Sequence, residues 1–227
     1  MSEHIYLETI YSEEKKPFTD YPKKLTTHLI NRFNLKKKQK ILELGCGRGE
    51  FLNEFVKNGL EGYGVDLSDY CKNFFSNLNF KKVDMDNEKL PYEDNFFDII
   101  YSKSFIEHFY HPEKIFKEAY RVLKPGGVII TLTPEWKFIY KSFYEDFTHR
   151  VPFTRVSLED IHYMSKFKSV KVESFKQLPI LFEKNFYNYF FRLFSFLTRV
   201  LIPDYFRDKN KWIRFSKEIM LLSVAKK

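Results

Sequence analysis

Three glycines at alternate positions, Gly45, Gly47 and Gly49, separate the apolar run Ile41-Leu42-Glu43-Leu44 from the helix-like segment Glu50-Phe51-Leu52-Asn53-Glu54-Phe55. A strand that passes into a helix through so short a glycine turn is the opening unit of a parallel α/β sheet, with a ligand crevice at the carboxyl ends of its strands. Glycine in such a turn permits positive φ and lets a ligand approach where a Cβ would stand. Position 50 is Glu, where the dinucleotide pattern G-x-G-x-x-G/A requires a small residue, and this counts against a nicotinamide or flavin enzyme. Cys46 suits the turn because it is small; a catalytic thiolate would need an activating base that the local sequence does not show.

Gly62-Tyr63-Gly64-Val65-Asp66-Leu67-Ser68 reads as a second strand ending in a carboxylate. An acid at the end of strand two can accept charge-assisted hydrogen bonds from both hydroxyls of a ribose. Its competing use is to cap the following helix, with Ser68 as a rival cap.

Together these pieces resemble the class I S-adenosylmethionine-dependent methyltransferases. The resemblance rests on Glu43-Leu44-Gly45-Cys46-Gly47-Arg48-Gly49, Asp66, Val83-Asp84-Met85, Phe96-Phe97-Asp98-Ile99-Ile100-Tyr101-Ser102, Ile106-Glu107-His108 and Val122-Leu123-Lys124-Pro125-Gly126-Gly127. It covers residues 38–133 in the family's order, and the members it resembles come from glycan and small-molecule biosynthetic clusters. It implies a Rossmann-like, doubly wound, mostly parallel seven-stranded sheet with helices on both faces and the last strand inserted antiparallel. It implies S-adenosylmethionine as cofactor, held by Glu43, Gly45, Cys46, Gly47, Gly49, Asp66, Leu67, Asp84, Met85 and Ser102. In this scheme Asp66 takes the ribose, Asp84 and Met85 flank the adenine, and Glu43 either orients loop amides or meets the amino-acid end. Asp86 lies close enough to exchange register with Asp84.

A length of 227 residues fits one α/β domain with an accessory element, and a 44% hydrophobic content provides for a sizeable core. The net charge of +8 is spread along the whole chain rather than gathered into a track, and no RNA-binding module or basic-aromatic platform is apparent, so no nucleic-acid partner is expected. Two cysteines without a CxxC pair, a polar N-terminus and no apolar run of about 20 residues lead to the expectation of a cytoplasmic protein.

Residues 1–38 are expected to form a lid over the cofactor, a helix over Lys23–Phe33 packed at the sheet edge, or both, with Tyr6, Tyr11, Phe18 and Tyr21 ahead of the helix; residues 39–227 form the main domain. Alternation of apolar runs predicts strands near 40–44, 62–66, 80–83, 96–102 and 127–133, and helices near 49–58, 69–77 and 112–122. Pro125-Gly126-Gly127 reads as the turn ahead of the fifth strand. Beyond it come a helix over Ser157–Met164 capped by Ser157, a strand over Ser169–Phe175 and a last strand over Glu218–Ala225.

The acceptor side is sought in the long connection 134–156, since long loops in compact domains tend to be functional. Asp146-Phe147-Thr148-His149-Arg150 lies within a D-x-T-H-x-x-x-[FY]-[ST] run that resembles methyltransferases of surface-glycan biosynthesis. His149 is the candidate general base, with Asp146 holding its tautomer, Arg150 gripping an anionic group and His108 in reserve. The alternative is structural, with Asp146 and Thr148 forming a local turn that His149 locks. The six histidines show no HxxxH spacing, so no metal is expected.

An insertion over 178–216 is dense in Phe, Tyr, Leu and Arg. Its stretch 186–202 suits a pocket cover, a homodimer contact or peripheral membrane contact. The expected reaction is O-methylation of a small-molecule or sugar-like intermediate, the partner being a small-molecule acceptor. The alternatives are a quinone- or lipid-directed methyltransferase at a membrane surface, and a catalytically silent cofactor-binding subunit.

Overall fold

The computed structural model describes residue 14, residues 16–182 and residues 186–227. Tyr6 and Tyr11 fall outside these described residues. A seven-stranded sheet forms the centre, built from β1 (Lys40–Leu44), β2 (Glu61–Asp66), β3 (Asn79–Lys82), β4 (Phe97–Lys103), β5 (Leu123–Pro134), β6 (Lys168–Phe175) and β7 (Met220–Lys226). Their order across the sheet is β3-β2-β1-β4-β5-β7-β6. All neighbouring pairs are parallel except those of β7, which runs antiparallel to both β5 and β6. The order reverses between β1 and β4, so a crevice opens at the tips of those two strands.

Central strands of a parallel sheet are covered on both faces, and side-chain alternation assigns each residue to one of them. Leu42, Leu44, Val65 and Ile100 face one cluster, completed by Ile115, Phe116 and Ala119 of α3 (Pro112–Val122) and by Leu158 and Ile161 of α5 (Arg155–Met164). Ile41, Ile99, Tyr101, Ile130 and Leu132 face the other, with Leu25 and Leu29 of α1 (Tyr21–Phe33) and Phe55 of α2 (Glu50–Lys57). Each such aliphatic or aromatic burial contributes roughly 1.5–3 kcal/mol. Between β5 and α5, α4 (Trp136–Ile139) forms one turn of the long connection.

Several local expectations are corrected. Helix α1 starts at Tyr21 rather than Lys23, with Pro22 in its first turn, and it packs on a sheet face rather than at the edge. The helix expected over 69–77 is only a 3-10 turn, Tyr70–Asn73, because Phe74 and Phe75 turn their edges to Phe18, with ring centroids 5.3 and 6.4 Å away. Helix α5 is capped by Thr154, not Ser157: the Thr154 hydroxyl accepts from the Ser157 amide at 3.2 Å, and the Ser157 hydroxyl accepts from the Thr154 amide at 2.9 Å. Pro125-Gly126-Gly127 lies inside β5 as a bulge opposite Asp98, and the strand begins at Leu123.

The insertion folds into α6 (Asn188–Leu201), a 3-10 segment over Asp204–Lys209 and α7 (Lys211–Lys217). Helix α6 is inverted relative to an ordinary surface helix: it buries Ser195 and Thr198 and exposes Tyr189, Phe190, Leu193, Phe194, Val200 and Leu201. Thr198 is held from both sides, donating to the Phe194 carbonyl and accepting from the Trp212 indole at 3.1 Å. The aromatic face therefore points to solvent. Among the described residues no helix is long and apolar enough to cross a membrane.

Candidate active site

All three glycines of the first turn have positive φ, 68° at Gly45, 51° at Gly47 and 82° at Gly49. A Cβ on Gly45 would stand 2.1 Å from the Phe105 ring, whereas one on Gly47 would meet nothing within 4 Å. Gly45 thus admits a neighbouring side chain, and Gly47 leaves its backbone open to a ligand. Phe105 reaches Gly45 because Ser104, just beyond β4, adopts φ 52° and donates its amide to the Leu132 carbonyl at 2.8 Å. The sequence leads to the expectation that Ser102 and the following Lys103-Ser104-Phe105 close the site at the end of strand four, and Phe105 lies against the glycine turn.

Asp66 at the tip of β2 accepts from the Gly47 amide at 2.8 Å and from the Ser68 amide at 3.1 Å. Burial raises its pKa from the ordinary carboxylate value, while these amides favour the charged form. Leu67 beside it is exposed. Glu43 lies fully buried beneath the turn with Oε2 unpartnered, and burial holds its pKa well above the usual range. Ser102, at the end of β4, likewise buries an unpartnered hydroxyl. Cys46 is buried, and its contact with Cys71, then burial, push the thiol well above its ordinary value.

Arg48 is buried, pairs with Glu50 at 2.7 Å, donates to the Lys16 carbonyl at 2.7 Å and lies over the Phe18 ring. Residues 16–18 are therefore docked against the glycine turn. Lys103, beneath the aromatic rings of Tyr21 and Phe51, has its pKa lowered to about 8 by burial.

Beyond β3 the chain turns at Asp84, whose carboxylate accepts from the Asp86 amide at 3.1 Å and the Asn87 side chain at 2.8 Å. Met85 is buried and belongs to the same core cluster as Val65, Val83 and Leu90. Asp84 thus builds its loop, as Asp residues do in local turns.

The acceptor side is assembled from two distant segments. The backbone amides of Arg150 and Val151 donate to the Glu107 carbonyl at 2.8 and 3.1 Å, stitching the long connection to the end of β4. This brings the rings of His108 and His149 to 4.9 Å. His149 Nδ1 lies 2.6 Å from the Phe143 carbonyl, which can only accept, so Nδ1 carries the proton. Asp146 does not hold this imidazole: its Oδ1 accepts from the Thr148 hydroxyl at 2.6 Å and from the Thr148 amide at 3.0 Å. Burial alone would raise the Asp146 carboxyl, but the Thr148 bonds outweigh it and its pKa is lowered. The Thr148 hydroxyl, having given its proton to Asp146, accepts from His108 Nδ1 at 2.9 Å. In its neutral form each histidine therefore carries its proton on Nδ1 and its lone pair on Nε2. Burial, then the neighbouring His149, lower the His108 pKa to about 4, so its ring is neutral at pH 7.

Arg150 donates to the Phe147 carbonyl at 2.6 Å and lies over Tyr110, so its guanidinium braces the loop. Glu107 stands beside His108 in the motif after strand four, where the sequence alone gives it no role. It is fully buried; Oε2 accepts from Thr133 at 3.0 Å, Oε1 has no partner, and burial raises its pKa to about 7. Glu107, His108 and His149 each offer a ligand atom within 4.8 Å of the others. Local histidine spacing does not reveal this trio, because the tertiary fold alone brings it together.

Residues 42–131 match the family model described as a methyltransferase domain. The chain carries a class I S-adenosylmethionine-dependent methyltransferase domain. The domain is 30% identical over 116 residues to the sterol 4-C-methyltransferase strm-1 of Caenorhabditis elegans, covering 48% of this chain and 35% of that protein. It is 33% identical over 122 residues to the ubiquinone/menaquinone biosynthesis C-methyltransferase UbiE of Neisseria meningitidis, covering 49% of each. The matched stretch is thus half or less of these relatives' own length. The methyltransferase fold extends to a solved S-adenosylmethionine-dependent methyltransferase of Archaeoglobus fulgidus, with TM-score 0.67 and 22% identity over 100% of both chains. It extends also to phosphoethanolamine N-methyltransferase 2 of Haemonchus contortus, with TM-score 0.68 and 18% identity over 98% of this chain and 59% of that one.

The methyltransferase turn fits S-adenosylmethionine on its own chemistry. Glu43 Oε2 and Ser102 Oγ are buried without partners, Gly47 is open, and Asp66 retains acceptor capacity beyond its two amides.

Proposed function

We propose that this protein transfers the methyl group of S-adenosylmethionine to an oxygen of a small-molecule or sugar-like acceptor bound beside His108 and His149. When bound, S-adenosylmethionine supplies a methyl group already made electrophilic by its sulfonium. The residues of this chain then have to align the acceptor, exclude water and remove a hydroxyl proton. Alignment of this kind supplies roughly 7–11 kcal/mol in favourable intramolecular systems, and a general base adds about 10²–10⁴-fold.

The observation that carries the reading is the pair of Nδ1-protonated imidazoles that the Phe143 carbonyl and Thr148 hydroxyl fix in place. Their Nε2 lone pairs can take a hydroxyl proton, with His149 as base and His108 in reserve. Asp146 acts one step away, through Thr148, as a positioning residue. For the cofactor, Asp66 is assigned to the ribose, Glu43 to the amino-acid end, and the turn at Gly45, Cys46, Gly47 and Gly49 to the backbone contacts.

The test is calorimetry with S-adenosylmethionine and with NADH, followed by an acceptor screen that reads S-adenosylhomocysteine release. Binding of the first ligand alone, with turnover that His149→Ala abolishes while donor affinity is kept, supports the reading. Donor binding without turnover on any hydroxylated acceptor would favour a silent cofactor-binding subunit.

A second reading concerns how the acceptor arrives. The outward aromatic face of α6, with Phe190 64% and Leu201 71% exposed, favours an acceptor presented at a lipid surface. The sterol and quinone substrates in the names of the relatives above are of that lipophilic kind.

A further inference from the structure

We propose that Glu107, His108 and His149 form a binding site for a divalent first-row transition ion. Each residue places one ligand atom within 4.8 Å of the other two, and no hydrogen bond joins any pair of them. The atoms are thus close enough to surround an ion. Around zinc, ligand atoms at about 2.0–2.1 Å from the ion stand roughly 3.3 Å apart, so modest side-chain rotation draws the three inward.

Three further observations point the same way. Glu107 Oε1 is a fully buried carboxylate oxygen without a partner, while Thr133 fixes the other oxygen of the group. Such an atom is costly to bury unless something cationic meets it. Both imidazoles carry their proton on Nδ1, so both Nε2 atoms are free to ligate. Each Nδ1–H is itself held, one by the Phe143 carbonyl and one by a Thr148 hydroxyl that leads to the Asp146 carboxylate. Metal-ligating histidines are oriented by this kind of outer partner. Two imidazoles and one carboxylate make a donor set suited to zinc, cobalt or iron rather than to magnesium or calcium, which take oxygen ligands.

Ion binding goes beyond the methyl-transfer reading and does not depend on it; only the ion's role toward the acceptor rests on that reading. With three protein ligands the ion keeps positions for an acceptor oxygen. A hydroxyl bound there gives its proton to water at lower pH than a free one, its O–H electron pair staying on oxygen. With the ion bound, the two Nε2 lone pairs would act through it; in the ion-free protein His149 Nε2 takes the proton directly.

Cobalt(II) is the probe, added to chelator-treated full-length protein and followed by its visible d–d absorption and by calorimetry. The expected result is one equivalent per chain, bound at least about tenfold more weakly by Glu107→Gln and by His149→Ala. Thr148→Val, which leaves every ligand atom in place but frees the His108 ring, should weaken binding by about 10–100-fold. It serves where either ligand variant fails to give the wild-type circular dichroism spectrum. No stoichiometric uptake by the wild type, or less than tenfold weakening in the folded variants, overturns the site. S-adenosylmethionine affinity measured on the same samples separates the two claims, since loss of donor binding alone sinks the methyltransferase reading and leaves the cobalt result standing.

Discussion

Across 2.8 Å, the Gly47 amide donates to the Asp66 carboxylate, so the tip of β2 and the glycine turn behave as one unit. Replacing Asp66 with Asn keeps the size and removes the charge from both the amide bonds and the ribose contact. Hydrogen bonds to charged groups contribute about 1.5–3 kcal/mol, which corresponds to roughly ten- to a hundredfold in affinity. Calorimetry should show S-adenosylmethionine binding weakened by that factor; unchanged affinity would remove Asp66 from the cofactor site.

Gly45→Ala and Gly47→Ala should separate clearly. Both place a side chain at positive φ, costing on the order of 1–2 kcal/mol. Only the first drives a Cβ to 2.1 Å from Phe105, forcing that ring and the end of β4 to move. A thermal melt should fall further for Gly45→Ala than for Gly47→Ala, and equal shifts would mean that Phe105 yields freely.

His162 offers a pH prediction away from the active site. It is fully buried, its Nδ1 lies 2.6 Å from the Leu158 carbonyl, and burial lowers its pKa to about 4. The unfolded chain, with an ordinary histidine near 6.5, binds the proton first as pH falls. Its contribution is therefore intact above pH 6.5 and lost progressively down to about 4, by on the order of 3 kcal/mol in all. Urea unfolding at pH 7 and pH 4.5 should show that acid loss shrinking in His162→Gln; an unaltered pH dependence would contradict the assignment.

The exposed face of α6 predicts that Phe190→Asp with Phe194→Asp leaves the fold intact, since both rings are at least half exposed. Sedimentation with anionic vesicles should recover the wild type and lose the double variant. Equal recovery of both, or of neither, removes the lipid-surface reading.

Readings drawn from short-range constraints survived best. The glycine turn, the acid at position 66 and the helix over Pro112–Val122 are specified by neighbours within a few residues, and the structure places them as expected. The segment 69–77 misled because Phe74 and Phe75 follow Phe18, a distant partner, rather than helical phase. Ser157 alone reads as a cap, but its reciprocal bonds with Thr154, three residues earlier, move the cap to Thr154. Asp146 looked like the natural neighbour of His149, yet the nearer Thr148 claims its carboxylate. Glu107 and His149 could not be joined on paper at all: the backbone bonds from Arg150 and Val151 that bring them together exist only in the folded chain.

The position of β7 bears on how the chain is made. Among the described residues strand β6 pairs only with β7, which is translated some forty-five residues later, as their pairing of Phe175 with Met220 records. A nascent chain thus emerges from the ribosome with one edge of β5 unpaired and β6 without its neighbour until β7 fills the place between them. The crevice side of the sheet, ordered from β3 to β5, can settle during synthesis, whereas the far edge must close at the end, and agents that bind unpaired edges have their opening in that interval.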